Sequence, residues 1–190
     1  YSGTTEETIC CAKEALSKNA KIIGISSGGP LLELLGSAKK PFYKFDPKFN
    51  PSGAPRIGQG YMQMGQIALL HSLKLVPVTS EEVTDTTASL RKLSTSLRMD
   101  VLYDANRSKQ FATLVKDKIV NFIAAEFLEG SVHAIRNPFH ETGKHFANYF
   151  IVPELNHHLM EGLSYPESLK RDFLFTIVES DLYSSVIAKR

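Results

Sequence analysis

The chain has 190 residues, of which 43% are hydrophobic and 22% charged, enough apolar side chains for a sizeable core and too many for wholesale disorder. Its formal net charge of +2, from 22 basic and 20 acidic residues, gives no electrostatic reason to expect nucleic acid or a membrane surface as partner. No apolar run approaches the roughly 20 residues of a spanning helix. The two cysteines are the neighbours Cys10 and Cys11, which excludes a disulfide scaffold and, with no signal-peptide pattern visible, leads us to expect a cytoplasmic protein.

In chain order, Thr8 to Asn19 reads as a helix. Ala12, Ala15 and Leu16 share a face with Cys11, and Glu6 and Glu7 sit where the positive end of the helix dipole favours them. Lys21 to Ile25 is a short apolar run of buried-strand type. Ser26-Ser27-Gly28-Gly29 then breaks the chain, and Pro30 opens a second helix through Leu31, Leu32, Leu34 and Leu35. Phe42 to Phe45 reads as another strand. A turn-rich stretch, Asp46 to Gly60, holds Pro47, Pro51 and Pro55, and Tyr61 to Leu75 follows as an apolar helix.

Ser80 to Lys118 is polar and helical in period. Ile119 to Phe127 is strand-like, helical patterns fill Val132 to Tyr149 and Glu154 to Leu163, and Asp172 to Val178 is a further strand. Leu182 to Arg190 reads as an unfinished helix. The alternation of strand and helix thus occurs twice, the pattern of an α/β fold with parallel sheets flanked by helices. We divide the chain into a first unit over residues 1–80, a helical linker over 81–118 and a second unit over 119–190. Since it opens at Tyr1 without a methionine and closes inside a helical pattern, we expect it to be a piece of a longer protein.

Chemistry-bearing residues gather in four places. In Tyr1-Ser2-Gly3-Thr4-Thr5-Glu6-Glu7-Thr8, hydroxyls surround a glycine directly before a helix, an arrangement that suits phosphate. The same residues also fit plain capping, with Thr4 or Thr5 as N-cap and Glu7 or Thr8 closing the box. The second hydroxyl–glycine turn, Ser26 to Gly29, also follows a strand and precedes a helix. In an open parallel sheet both loops can face one crevice beyond the strand ends. Arg56 lies in the turn-rich stretch, where a guanidinium pairs with phosphate or a developing oxyanion, or is merely solvated.

The fourth place, Asn137 to Gly162, holds His140, His145, His157 and His158 with Glu141 and Glu154. Metal ligation and acid–base chemistry both use these residue types, but no pair has the spacing of a helical His-x-x-x-His zinc site. Cys10 and Cys11, on a helix read as core-facing, fit small buried hydrophobes better than nucleophiles.

Taken as an ordered set, these motifs resemble one family. Tyr-Ser-Gly-Thr-Thr-Glu-Glu-Thr at 1–8 is similar to the sugar-phosphate loop of SIS (sugar isomerase) domains. Glu141-Thr-Gly-Lys144, with Pro153-Glu-Leu-Asn-His157 placing His157 sixteen residues after Glu141, resembles the ENAK and PELNHN strings of the bifunctional phosphoglucose/phosphomannose isomerases. Ser-Ser-Gly-Gly at 26–29 and Pro55-Arg56 extend the likeness to nearly the whole chain. Departures are Gly143 where alanine is usual and His158 where the family has asparagine.

The resemblance implies two SIS domains, both incomplete here. Residues 1–80 would be the C-terminal part of the first, and residues 119–190 the N-terminal part of the second. It implies an aldose–ketose isomerase acting through a cis-enediol on glucose 6-phosphate and fructose 6-phosphate, with mannose 6-phosphate as a further substrate. Carried over by position, Ser2 and Thr5 hold the phosphate and Arg56 steadies the enediolate. Glu141 moves the proton between C1 and C2, and His157 helps open the ring, reaching the partner subunit's site in a homodimer with shared active sites. Lys144, on the same helical face as Glu141, would tune its carboxylate or merely pair with it.

No metal and no cofactor are implied, and a small sugar phosphate is the partner. The family's Gly-Gly-Ser loop would precede Tyr1 and its active-site lysine would follow Arg190, so residues 1–190 alone are expected to be inactive. Two other readings stand beside this one: a non-catalytic SIS module that senses a sugar phosphate, and another SIS enzyme such as an amidotransferase's isomerase half or an arabinose-phosphate isomerase.

Overall fold

Two small parallel sheets organise the chain, as the repeated strand–helix alternation requires. The computed structural model describes residues 1–190, which divide into the units Tyr1–Thr87 and Ala88–Arg190.

In the first unit, α1 (Glu6–Ser17) leads to β1 (Gly24–Ser26), α2 (Gly29–Ser37) and β2 (Phe42–Lys44). β1 and β2 pair in parallel, Ile25 opposite Tyr43. Ala12 of α1 packs with Leu31 and Leu35 of α2, joined by Ile22 and Leu34. This face is the one the 3.6-residue period predicts, but it leaves Cys10 and Cys11 exposed. Cys11 sits about 100° round the helix from Ala12, which corrects the expectation that the two thiols are buried. After the irregular turns, α3 (Gln59–Ser72) follows, with Gly65 against the Tyr43 ring and Ile25.

α4 (Ser80–Ser96) begins with a reciprocal capping box. Thr79 N–H donates to Glu82 Oε2 at 2.7 Å and Glu82 N–H to Thr79 Oγ1 at 3.1 Å. The bonds that the Thr79 N–H and, at 3.0 Å, its Oγ1 hydroxyl donate to the carboxylate hold the Glu82 pKa below its ordinary value. The division between the two units falls within α4.

In the second unit α5 (Arg107–Val115) leads to β3 (Ile119–Ala125), then α6 (Glu129–Glu141), β4 (Ala147–Val152), α7 (Glu154–Gly162), α8 (Leu169–Asp172), β5 (Phe173–Ile177) and α9 (Ser185–Ala188). The strand order is β4-β3-β5, all parallel. Register sets Val120 opposite Ala147, Phe122 opposite Tyr149 and Ala124 opposite Ile151, so alternate residues of two strands share one face. Val132 and Phe139 of α6, with Phe111 and Val115 of α5, close over that face.

β4 corrects the reading of Val132 to Tyr149 as helix throughout. α6 ends at Glu141, where the amides of Thr142 and Gly143 both close on the Pro138 carbonyl at 2.9 Å and Lys144 turns to a φ of +52°. Ala147 to Val152 then gains a full ladder with β3, which a run ending in Tyr-Phe-Ile-Val satisfies better than a helix.

Asn106 caps α5 and is buried. Its Oδ1 accepts from Lys109 N–H at 3.1 Å and its Nδ2 donates to the Arg98 carbonyl at 3.0 Å. Asn106→Ala removes both bonds, and we expect a loss of about 1–2 kcal/mol in a urea unfolding curve with an unchanged slope. A midpoint equal to that of the parent protein would show that the cap contributes nothing.

Candidate functional site

The two hydroxyl–glycine loops meet at the carboxyl end of β1. Ser27 N–H donates to the Tyr1 carbonyl at 2.8 Å, and Leu31 N–H, in the first turn of α2, donates to the Gly3 carbonyl at 3.0 Å. Gly3 has a φ of +74° and no room for a side chain: a Cβ there would lie 2.1 Å from the Gly28 carbonyl oxygen. Gly29, at φ +76°, would likewise meet the Ser2 carbonyl oxygen at 2.7 Å. Each glycine therefore occupies space the other loop leaves, and their spacing in the sequence reflects this close approach.

Thr5 is the N-cap of α1, yet its side chain makes no capping hydrogen bond; its carbonyl alone accepts, from Ile9 N–H at 3.1 Å. Capping is thus not what the hydroxyl does. Ser2 Oγ and Thr4 Oγ1 lie 2.7 Å apart just ahead of it. Hydroxyls beside a helix N-terminus with the positive end of its dipole form a setting for an anion.

Arg56, half-buried, sits in a double turn of the same unit. Ile57 N–H donates to the Ala54 carbonyl at 3.1 Å and Gly58 N–H to the Pro55 carbonyl at 3.0 Å. Gly58 abuts the Tyr1 ring, where a Cβ would come 2.3 Å from Cε2. Ser2, Thr5 and Arg56 are therefore carried by loops that touch one another within the first unit.

In the second unit the geometry separates two of the expected residues. β3 and β4 run in parallel, so α6, which joins them, must return along the sheet. Glu141 is its last residue and lies toward the amino end of the strands, where His145 Nε2 meets the Lys118 carbonyl just before β3 at 2.6 Å. His157 is exposed on α7, which starts directly after the carboxyl end of β4. Six residues of β4 put about 20 Å between those ends. Glu141 and His157 of one chain are not brought together.

Lys144 lies beyond the end of α6 rather than on its face, and its Nζ donates to the backbone carbonyl of Glu141 at 2.7 Å. His140 stacks on Phe146, with Nε2 2.8 Å from the Ala147 carbonyl. His158 pairs with Glu154 on the surface of α7 at 3.0 Å. With the bond of His145 to the Lys118 carbonyl, these contacts account for three of the four histidines, and no three His, Cys, Asp or Glu side chains converge as a metal site would require.

A cavity of about 520 Å³ opens at the carboxyl ends of the second sheet, lined among others by Ala125, Val152, Asn156, Ser180 and Tyr183. Tyr183 Oη fixes its wall by accepting from Ala125 N–H at 3.0 Å. Sequence reasoning did not find Tyr1 or Asn50. Asn50 is buried, and its Nδ2 donates to Tyr1 Oη at 2.8 Å across 49 residues of sequence. An Asn-Pro pair signals a turn, but not its distant partner.

Residues 104–190 match the model of the bacterial phospho-glucose isomerase C-terminal SIS domain. The chain is 29% identical over 174 residues to a bifunctional phosphoglucose/phosphomannose isomerase of Caldicellulosiruptor bescii, covering 89% of this chain and 49% of the relative. It is 28% identical over 178 residues to the protein of the same name from Aquifex aeolicus, covering 94% and 50%. The chain thus spans about half the length of the curated relatives it matches. No solved structure gives a significant match. No helix is long and apolar enough to cross a membrane.

Proposed function

We propose, from the match of residues 104–190 to the bacterial phospho-glucose isomerase C-terminal SIS domain, that the whole protein is a cytoplasmic aldose–ketose isomerase. It interconverts glucose 6-phosphate, and also mannose 6-phosphate, with fructose 6-phosphate. The observation that carries the substrate class is the interlocked pair of loops at residues 1–5 and 26–29, which leaves the Thr5 hydroxyl uncommitted to its helix.

In this reading the Ser2 and Thr5 hydroxyls and the first amides of α1 hold the phosphate. The Glu141 carboxylate takes the proton from C2 of the open-chain aldose and returns it to C1, while the hydroxyl proton on O2 passes to O1. Electrons move from the C2–H bond through the C1–C2 enediol and back, so the reaction is redox-neutral within one substrate and calls for no redox cofactor or metal. Arg56 steadies the negative oxygen of the enediolate, where a fixed cation is worth most. His157 assists ring opening by moving a proton.

The separation of Glu141 from His157 along the second sheet supports a homodimer in which His157 serves the partner's site, since one chain's own pair is too far apart for one hexose. Residues 1–80 and 119–190 then belong to successive SIS domains, with 81–118 linking them.

Proton NMR of fructose 6-phosphate in D₂O with the full-length protein tests this. Deuterium entering the sugar, with glucose 6-phosphate and mannose 6-phosphate signals appearing, is the expected result. A folded protein that binds the sugar phosphate without exchange or product would instead be a sensor. Ser2→Ala is expected to weaken fructose 6-phosphate binding by about 1–3 kcal/mol in calorimetry, the scale of a lost hydrogen bond to a charged group. Unchanged affinity would take Ser2 out of the phosphate site.

A further inference from the structure

We propose that Tyr1 and Asn50 are positioning residues that latch the turn carrying Arg56 onto the phosphate loop, so that anion binding and oxyanion stabilisation are held in one register. This rests on the isomerase reading and adds residues to which that reading gives no role.

Three loops converge on Tyr1. Its backbone carbonyl lies 2.8 Å from Ser27 N and 2.9 Å from the fully buried Ser26 Oγ, tying it to the second hydroxyl–glycine loop. Its peptide continues directly into Ser2. Its ring lies edge-on to Phe45 at 5.1 Å between centroids, and Phe45 in turn stacks on Tyr61 at 4.9 Å. The ring is thus clamped, and its hydroxyl can serve as a fixed point.

Asn50 is the other half of the latch. One Nδ2 hydrogen goes to Tyr1 Oη and the other to the Ala54 carbonyl, both at 2.8 Å, while Oδ1 accepts from Ser52 Oγ at 2.6 Å. Both its amide donors are used and it is only 5% exposed, so loss of either partner leaves a buried polar group unpaired. Arg56 stands two residues after Ala54, which Asn50 holds, and two residues before Gly58, which rests on the Tyr1 ring. Both flanks of the arginine therefore refer to Tyr1, and Tyr1 refers to the phosphate loop.

The expected consequence is kinetic. A guanidinium that acts on charge developing in the transition state loses its effect when displaced by a fraction of an ångström, while substrate binding through separate hydroxyls is retained. In the full-length protein, Tyr1→Phe keeps the ring and removes only the hydroxyl. We expect kcat for fructose 6-phosphate to fall about tenfold with KM changed less than about threefold. Asn50→Ala should show the same split. In an Arg56→Ala background neither substitution should lower kcat further, because the group they position is gone.

Unchanged kcat in Tyr1→Phe and Asn50→Ala, or losses that simply multiply with that of Arg56→Ala, would overturn the latch. A residue that only supports folding would give such multiplying losses, together with a lowered unfolding temperature. Failure of the underlying reading looks different: Arg56→Ala itself would then isomerise at the parental rate, or the parent protein would not isomerise at all.

Discussion

Glu141→Gln in the full-length protein is expected to lower isomerase turnover by at least about a hundredfold while leaving sugar-phosphate binding nearly intact. The substitution preserves shape and removes only the capacity to take a proton. Its position makes the result readable, because Glu141 ends α6 and belongs to neither the loop proposed to hold the phosphate nor the core that α6 builds through Val132 and Phe139. Near-normal turnover would remove Glu141 from the role of base.

A mixing experiment carries the same variant further. If each site takes Glu141 from one chain and His157 from the other, a heterodimer of Glu141→Gln and His157→Ala keeps one intact site. Random exchange gives half heterodimers with one working site of two, so the mixture should recover about a quarter of parental activity. No recovery on mixing, with exchange of chains demonstrated, would place both residues in one chain's site and contradict the distance that β4 sets between them.

That distance was hidden in the sequence for a definite reason. Local patterns located β1, β2, β3 and β5 to within a few residues, because each is a short apolar or aromatic run bounded by turn residues or helices. β4 follows α6 after a short turn, and Phe139, Phe146 and Tyr149 continue a spacing compatible with a helix. Only the ladder to β3, with Val120 opposite Ala147 and Ala125 opposite Val152, decides for a strand. Read as helix, the stretch hides that Glu141 and His157 lie at opposite ends of the sheet.

Lys144 was misplaced by the same extension, since a helix ending at Glu141 leaves no shared face. The thiols of Cys10 and Cys11 show the limit of helical periodicity from another side: it orders residues around α1 but does not fix how wide the buried stripe is. Contacts of high sequence separation, such as Asn50 to Tyr1, leave no periodic trace at all. The hydroxyl–glycine loops were legible because their chemistry is local, while their interlocking was not.

Gly3→Ala has the largest expected effect on stability, and it tests that interlocking directly. An alanine at a φ of +74° carries backbone strain of about 1–3 kcal/mol. Its methyl must also displace the Gly28 carbonyl oxygen, 2.1 Å away, and Ser26 Oγ, 2.7 Å away. The first of these is backbone, held between β1 and the start of α2, and cannot swing aside as a side-chain end would. Crowding of this kind costs roughly another 1–3 kcal/mol, so the unfolding free energy should fall by about 2–6 kcal/mol in all.

The loops can relieve the overlap only by separating, which moves Ser2 and the start of α1 away from the Ser26 to Gly29 turn. Fructose 6-phosphate affinity in calorimetry should then drop by at least about tenfold, a 1.4 kcal/mol loss of the same order as one hydrogen bond to a charged oxygen. Gly53→Ala separates the two contributions, since Gly53 has a φ of +66° but nothing within 4 Å of its added methyl. It should show the strain alone, about 1 kcal/mol at the low end of that range. If Gly3→Ala cost no more than Gly53→Ala and bound the sugar phosphate normally, the close approach of the two loops would not be what shapes the anion site.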